Sequence, residues 1–306
     1  MESRPASSPV LRIAVRLAVL GVVVGAAILV FDPFGRSEGS VGTAGNPVVL
    51  VLSPSHAKDL KPGDLATLAK LLQADSKLEV SVRIATSPVE AIDSFKRQSD
   101  VGLLDLFEYM LARTRHGVEA RLQITRKDDA VSYTGEVLVR ADSPAKVLTD
   151  LQGKRIAYVS PYSTGGFIFP AWLLAENKVT MAHEFAGGHT EALERLRAGK
   201  VEAAAVYGGA AKPGEPFRVL GITRTIPNEP VFLRKGLDKR KGDAILAALQ
   251  KVGLEAAGKG ILAAMADCTG FRPATDSDYD PVRQALHAAG KSVYEVVPEG
   301  VSLESK

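Results

Sequence analysis

Residues 158–175 read YVSPYSTGGFIFPAWLLA. An apolar strand ends at Val159, a loop of Ser, Thr and Gly follows, and a helix opens. Strand, loop and helix in that order form the repeating unit of an α/β fold. A loop of this composition turns backbone N–H groups and hydroxyls towards one point, and the dipole of the following helix adds positive potential there. Each charge-assisted hydrogen bond to an anion at such a point contributes roughly 1.5–3 kcal/mol. Pro170 has no N–H to give the carbonyl four residues back, so the first turn is expected to be looser than a regular helix. Ordinary capping of the helix by Ser163 or Thr164 is the alternative reading of the same residues.

The same alternation extends in both directions. Upstream, 47–53 (PVVLVLS) reads as a buried strand, and Leu65, Leu68, Ala69 and Leu72 recur at helical spacing. Residues 80–85 alternate as a strand, 89–95 form a short helix with Pro88 at its start, and 101–104 run as a strand into a helix over 106–113. Downstream, 133–140 and 155–159 are strands, followed by a helix over 167–177, a short strand near 184–186, a helix over 190–198 and a strand over 201–206. Strands over 218–222 and 231–234 and helices over 243–251 and 261–265 complete the pattern. Strands and helices alternating at this spacing predict βαβ units and a parallel sheet.

The chain has 306 residues, 46% hydrophobic and 24% charged, an ordinary balance for a globular protein with a sizeable core. A net charge of +3 with scattered Lys and Arg, and no basic stripe interleaved with aromatics, argues against nucleic acid as a partner. Cys268 is the one cysteine, so an intrachain disulfide is excluded. The five histidines show no metal-ligand spacing, and neither a metal nor a cofactor is expected. Residues 13–31 (IAVRLAVLGVVVGAAILVF) form an apolar run broken only by Arg16. That run is just long enough to cross a bilayer, with Arg4, Arg12 and Arg16 holding the N-terminus (1–12) on the cytoplasmic side. A cleaved signal peptide with a site at Val24-Gly25-Ala26 is the alternative, although 28–31 (ILVF) continue the run past it. No Cys follows the run, which excludes a lipoprotein anchor; either way the body is exported. Residues 32–46, rich in Gly, Ser and Pro, read as a linker.

Two motifs stand apart from this scaffold. His189 follows a glycine pair just before a helix, and Tyr109 lies in Leu106-Phe107-Glu108-Tyr109. By default each is a structural residue with a satisfied polar atom. With these in hand, 101–112 (VGLLDLFEYMLA) is similar to the strand-then-tyrosine segment of the phosphate/phosphite/phosphonate-binding proteins of ABC importers. Residues 141–159 resemble that family's spacer, Asp-Leu-x-Gly-Lys and apolar strand leading into its second lobe. Ser163-Thr164-Gly165-Gly166 with Pro170 resembles its Ser-Thr-Ser-Gly helix start, His189 falls on its histidine, and 201–206 and 279–282 resemble two further signatures. The likeness spans about 47–288.

The resemblance implies an α/β, two-lobed, periplasmic-binding-protein-like (type II) fold with a hinge, preceded by the N-terminal transmembrane helix. Lobe I would be 47–141 plus 229–289, lobe II 142–228, and 290–306 a C-terminal tail. It implies a small oxyanion as ligand, bound by Ser163, Thr164 and Gly165, with His189 from the same lobe and Tyr109 from the opposite one. Tyr207 stands where an acid or amide often ends the Ala-rich strand, beside the variable part of the ligand. Gly165 replaces the family's second serine and Pro88 a binding tyrosine. The expected role is extracytoplasmic capture for an ABC permease, with a membrane-tethered sensor and a signalling partner as the alternative. Enzyme readings fail on the residues: Pro161 breaks a Gly-x-Ser-x-Gly elbow at Ser163, and Ala285 breaks a phosphate loop ending at Gly290-Lys291-Ser292.

Overall fold

The computed structural model describes residues 38–57, 59–265 and 267–297. The apolar run 13–31 lies outside them, and among the described residues no helix is long and apolar enough to cross a membrane. Before Gly42 the structure describes a short 3₁₀ turn, Glu38–Ser40, and Val41; the described residues from Gly42 onward form a separate compact unit.

The larger unit is built on two main sheets. In the first, β1 (Val48–Leu52) lies between β2 (Val80–Ile84) and β3 (Val101–Leu103), parallel to both. β1 is apolar throughout and almost wholly buried, as a central parallel strand covered on both faces requires. β12 (Pro230–Leu233) then pairs antiparallel with β3 and with β4 (Glu119–Thr125), and β13 (Gly270–Pro273) pairs antiparallel with β4 at the edge. The second sheet has the order β10 (Phe217–Ile222), β6 (Gly135–Arg140), β9 (Ala203–Tyr207), β7 (Arg155–Tyr158) and β8 (Ala182–Phe185). Here β7 is parallel to β8 and β9, while β6 is antiparallel to β9 and β10.

The expectation of a parallel sheet therefore holds only at the centre of each sheet. The chain leaves the first sheet by β4 and returns by β12, and enters the second by β6 and leaves it by β10. A strand going out and its neighbour coming back run in opposite directions, so each sheet is mixed. The two crossings meet in a ribbon of β5 (Ser132–Tyr133) and β11 (Ile226–Pro227). Asn228 fastens this ribbon to the first sheet. Its Nδ2 donates to the carbonyls of Ile124 (3.0 Å) and Ala130 (2.9 Å), and its N–H donates to Val131.

The helices that matter to the site start at the carboxyl ends of strands. α1 (Asp64–Ser76) and α2 (Pro88–Asp93) cover the first sheet; Pro88 takes a first-turn position, and Ser87 caps the helix by accepting from the N–H of Glu90. α3 (Leu106–His116) follows β3 with Glu108 reaching back to the N–H of Asp105 at 3.0 Å. In the second sheet, α4 (Phe169–Glu176) follows β7 and α5 (His189–Arg197) follows β8.

Candidate functional site

Ligands of open α/β sheets bind outside the carboxyl ends of the strands. The structure puts polar side chains there in both sheets. Beyond β1 come Ser53, Ser55 and His56; beyond β3 come Asp105 and Glu108; Glu229 stands at the return strand. In the second sheet, β7 leads to Ser163 and Thr164, β8 to His189, and β9 ends in Tyr207.

The turn Thr164–Ile168 is wound more loosely than an α-helix. The N–H of Ile168 donates to Ser163 and that of Phe169 to Thr164, each five residues back. Pro170 cannot donate to Gly166, whose carbonyl instead accepts from the N–H of Val159 at 3.0 Å. Ser163 caps the turn, its Oγ accepting from the N–H of Gly166 at 3.1 Å. Both readings of this serine are compatible, since a capping hydroxyl keeps its own proton to donate. Thr164 is buried and hydrogen-bonds Tyr133.

Tyr133, on the crossing ribbon, is a residue that sequence reasoning did not single out. A Cβ on Gly165 would lie 2.7 Å from its Cε2, so the ring fills the space a serine side chain would need. Arg126 stacks over the ring, 5.2 Å from the centroid, and pairs with Glu229 at 2.9 Å. Burial and the Glu229 carboxylate push the Tyr133 hydroxyl well above the usual phenol range. His189 is half-buried and meets Tyr207 edge-on, with ring centroids 4.7 Å apart; Tyr207 donates to Asp267 at 3.3 Å.

The first-sheet wall is charged and buried. His56 Nε2 lies 3.0 Å from Asp105 Oδ1, and Ser55 donates to Asp105 Oδ2 at 2.8 Å. Burial works against a charged imidazole here, but Asp105, with Glu229 and Glu108 beyond it, outweighs that and holds His56 up at about 9. Asp105 is held below the usual carboxylate range against its own burial by His56, with help from Ser55 and the charge of His189. Burial and the neighbouring Asp105 push Glu108 up to about 8, although Ser53 donates to it at 3.1 Å. His56, Asp105 and Glu229 bring donor atoms within 4.8 Å of one another, a proximity that linear spacing concealed. His56 Nε2 pairs with Asp105 and Glu229 with Arg126, so the trio forms a charge-paired wall.

Of the residues expected at the site, Ser163, Thr164 and Gly165 sit together in one turn, and His189 and Tyr207 pack against each other. Tyr109 is placed differently. It is buried between Phe232 and Tyr279, with centroids 5.1 and 5.2 Å away, and its hydroxyl donates to Asp276. Burial and Asp276 raise its pKa above the ordinary tyrosine value. What joins the two halves is the electrostatic contact of Asp105 with His189 and the position of Tyr133 between Thr164 and the Arg126–Glu229 pair.

Known proteins resemble this chain in sequence and in fold. Residues 54–279 match the family model described as ABC transporter, phosphonate, periplasmic substrate-binding protein. The chain is 26% identical over 224 residues to the phosphate-import protein PhnD of Mycolicibacterium smegmatis, covering 62% of this chain and 69% of that one. Its fold is similar to PhnD1 from Prochlorococcus marinus in complex with methylphosphonate (TM-score 0.65, 16% identity, 80% of this chain and 98% of that one). It is also similar to a binding protein component of an ABC phosphonate transporter from Pseudomonas aeruginosa (TM-score 0.62, 18% identity, 78% and 85%).

Proposed function

This chain belongs to the periplasmic substrate-binding family of phosphonate ABC transporters, and we propose on that premise that it captures a small phosphorus oxyanion. Phosphate, phosphite or a short phosphonate would be bound outside the cytoplasm and handed to a membrane permease. The observation that carries the reading is the loose 164–168 turn at the carboxyl end of β7, which gathers first-turn N–H groups with the hydroxyls of Ser163 and Thr164. The neighbouring relatives support the ligand class, one being named for phosphate import and another holding methylphosphonate.

In this reading Ser163, Thr164, Gly165 and His189 form the oxyanion side, and Tyr207 meets the variable group. Tyr109 joins them only if its bond to Asp276 opens. Residues 47–141 with 229–289 would make one lobe and 142–228 the other, and 13–31 would hold the body at the membrane. N-terminal sequencing of the mature, membrane-associated protein tests that tether, and a start near Ala27 would rule it out. A tethered sensor gains nothing from a family of transport components.

The ligand assignment is tested by thermal shift with phosphate, phosphite, methylphosphonate and sulfate. Ligand at about 100 times its dissociation constant stabilises the fold by roughly 2.7 kcal/mol. That is a shift of several degrees at about 2–4 °C per kcal/mol for a chain of this size. Thr164→Ala and His189→Ala should each remove most of the shift, because each takes a donor from a charged acceptor. A shift that survives both substitutions would overturn the assignment.

A further inference from the structure

We infer that His56 is the first sheet's donor to the bound oxyanion, giving its Nδ1–H to a ligand oxygen while Asp105 holds its Nε2–H. The inference rests on the oxyanion reading above and adds the partner that the turn at 164–168 lacks across the cleft.

His56 is 4% exposed, directly beyond the carboxyl end of β1. Its Nε2 is matched by Asp105 at 3.0 Å, but its Nδ1 is buried with no hydrogen-bond partner among the described residues. A buried donor left unpaired carries the desolvation cost of the group, which a ligand oxygen would relieve. The acids around it keep the ring protonated, so both nitrogens are donors. Other candidates on this wall are committed. Ser53 donates to Glu108, Ser55 donates to Asp105 and lies 2.9 Å from Ser53 Oγ, Arg126 pairs with Glu229, and Tyr109 donates to Asp276. Of the remaining carboxyls, Asp105 and Glu229 are held in ion pairs, and Glu108, which keeps a proton up to about 8, carries no positive charge and already accepts from Ser53 and from the N–H of Asp105. His56 is therefore the side chain through which this wall can attract an anion, with Asp105 fixing the ring as an orienting carboxylate does.

Two substitutions separate the donor from the ion pair. In His56→Asn the amide nitrogen falls near the Nδ1 position and the reach to Asp105 is lost; in His56→Gln the amide sits near Nε2 and the Nδ1 donor is lost. Calorimetric titration with methylphosphonate and inorganic phosphate should show His56→Asn, which keeps the donor, binding more tightly than His56→Gln. His56→Gln should bind about ten- to a hundredfold more weakly than the unmutated protein, the range for a lost donor to a charged acceptor. Undiminished binding by His56→Gln, with Thr164→Ala defective, overturns this inference and leaves the oxyanion reading standing. Equal losses in both His56 variants also overturn it, by tracing the effect to the ion pair. An unmutated protein that binds neither probe removes both readings.

A second measurement keeps His56 in place. Affinity of the unmutated protein should fall as pH rises through about 9, when Nδ1 becomes a lone pair facing the anion. Asp105 and Glu108 from α3, Glu229, Arg126, Tyr133 and His189 face the same space; Glu108, near 8, adds a lower step that Glu108→Gln removes. Affinity that stays flat through the upper step in Glu108→Gln overturns the inference.

Discussion

Glu108 and His56 make the ligand-free protein sensitive to alkali. Glu108, nearly wholly buried, is raised from 4.5 to about 8 by burial and then by Asp105. Between those values the folded chain holds a proton that the unfolded chain has released, so stability falls as pH rises. His56, raised from 6.5 to about 9, acts in the same sense: its contribution is complete below 6.5 and lost as pH climbs through 9. Asp105 is lowered, so its contribution is present above 3.8 and is lost as pH falls below that. Melting temperature without ligand should therefore be highest in mildly acidic buffer and decline from pH 6.5 to 9. Glu108→Gln should flatten that decline. Scanning calorimetry across the range checks this, and a melting temperature that climbs with pH in the unmutated protein would refute it.

The turn at 164–168 shows how one element answers to its neighbours. Pro170 predicts the loosened winding from sequence, because a missing N–H is a local fact. Gly165 does not explain itself locally; its reason is the Tyr133 ring, brought against it from the crossing ribbon. Gly165→Ser, which would restore the family's hydroxyl, forces that ring away from Thr164 and from under Arg126. Overpacking of this kind costs about 1–3 kcal/mol, measurable in urea unfolding. The double variant Gly165→Ser, Tyr133→Ala should lose less than the sum of its single changes, since the space is returned. Additive losses would show that Tyr133 is not what excludes a side chain at 165.

At the scale of the whole molecule, two sheets between which the chain crosses through a two-strand ribbon have the connectivity of a hinge. Small-angle scattering should give a smaller radius of gyration with saturating methylphosphonate than without, and an unchanged radius with a ligand shown to bind would count against closure. Asn228 ties the ribbon to the first sheet through two side-chain donors and stands with no exposed surface. Asn228→Ala leaves two carbonyls short of a donor and should cost about 2–4 kcal/mol, read as a lower urea midpoint.

The sequence alone determined what depends on neighbours in the chain: the order of strands and helices, the loosened turn before Pro170, and a family likeness borne by short local motifs. It placed Ser163, Thr164 and Gly165 together because they are consecutive. Tertiary structure decided whatever depends on distant segments meeting. Tyr109 reads from its own motif as a structural tyrosine and only from the resemblance as a ligand donor; pairing of β3 with β12 sets it against Phe232, and its hydroxyl donates to Asp276. His56, Asp105 and Glu229 are unremarkable in sequence, and their only signal is position just beyond or before a strand. Folding brings them into one buried cluster, where low polarity and close charges set protonation states that no spacing reveals. Local patterns are written by steric and hydrogen-bond rules over a few residues, whereas a site's charge is a sum over groups that only the fold makes neighbours.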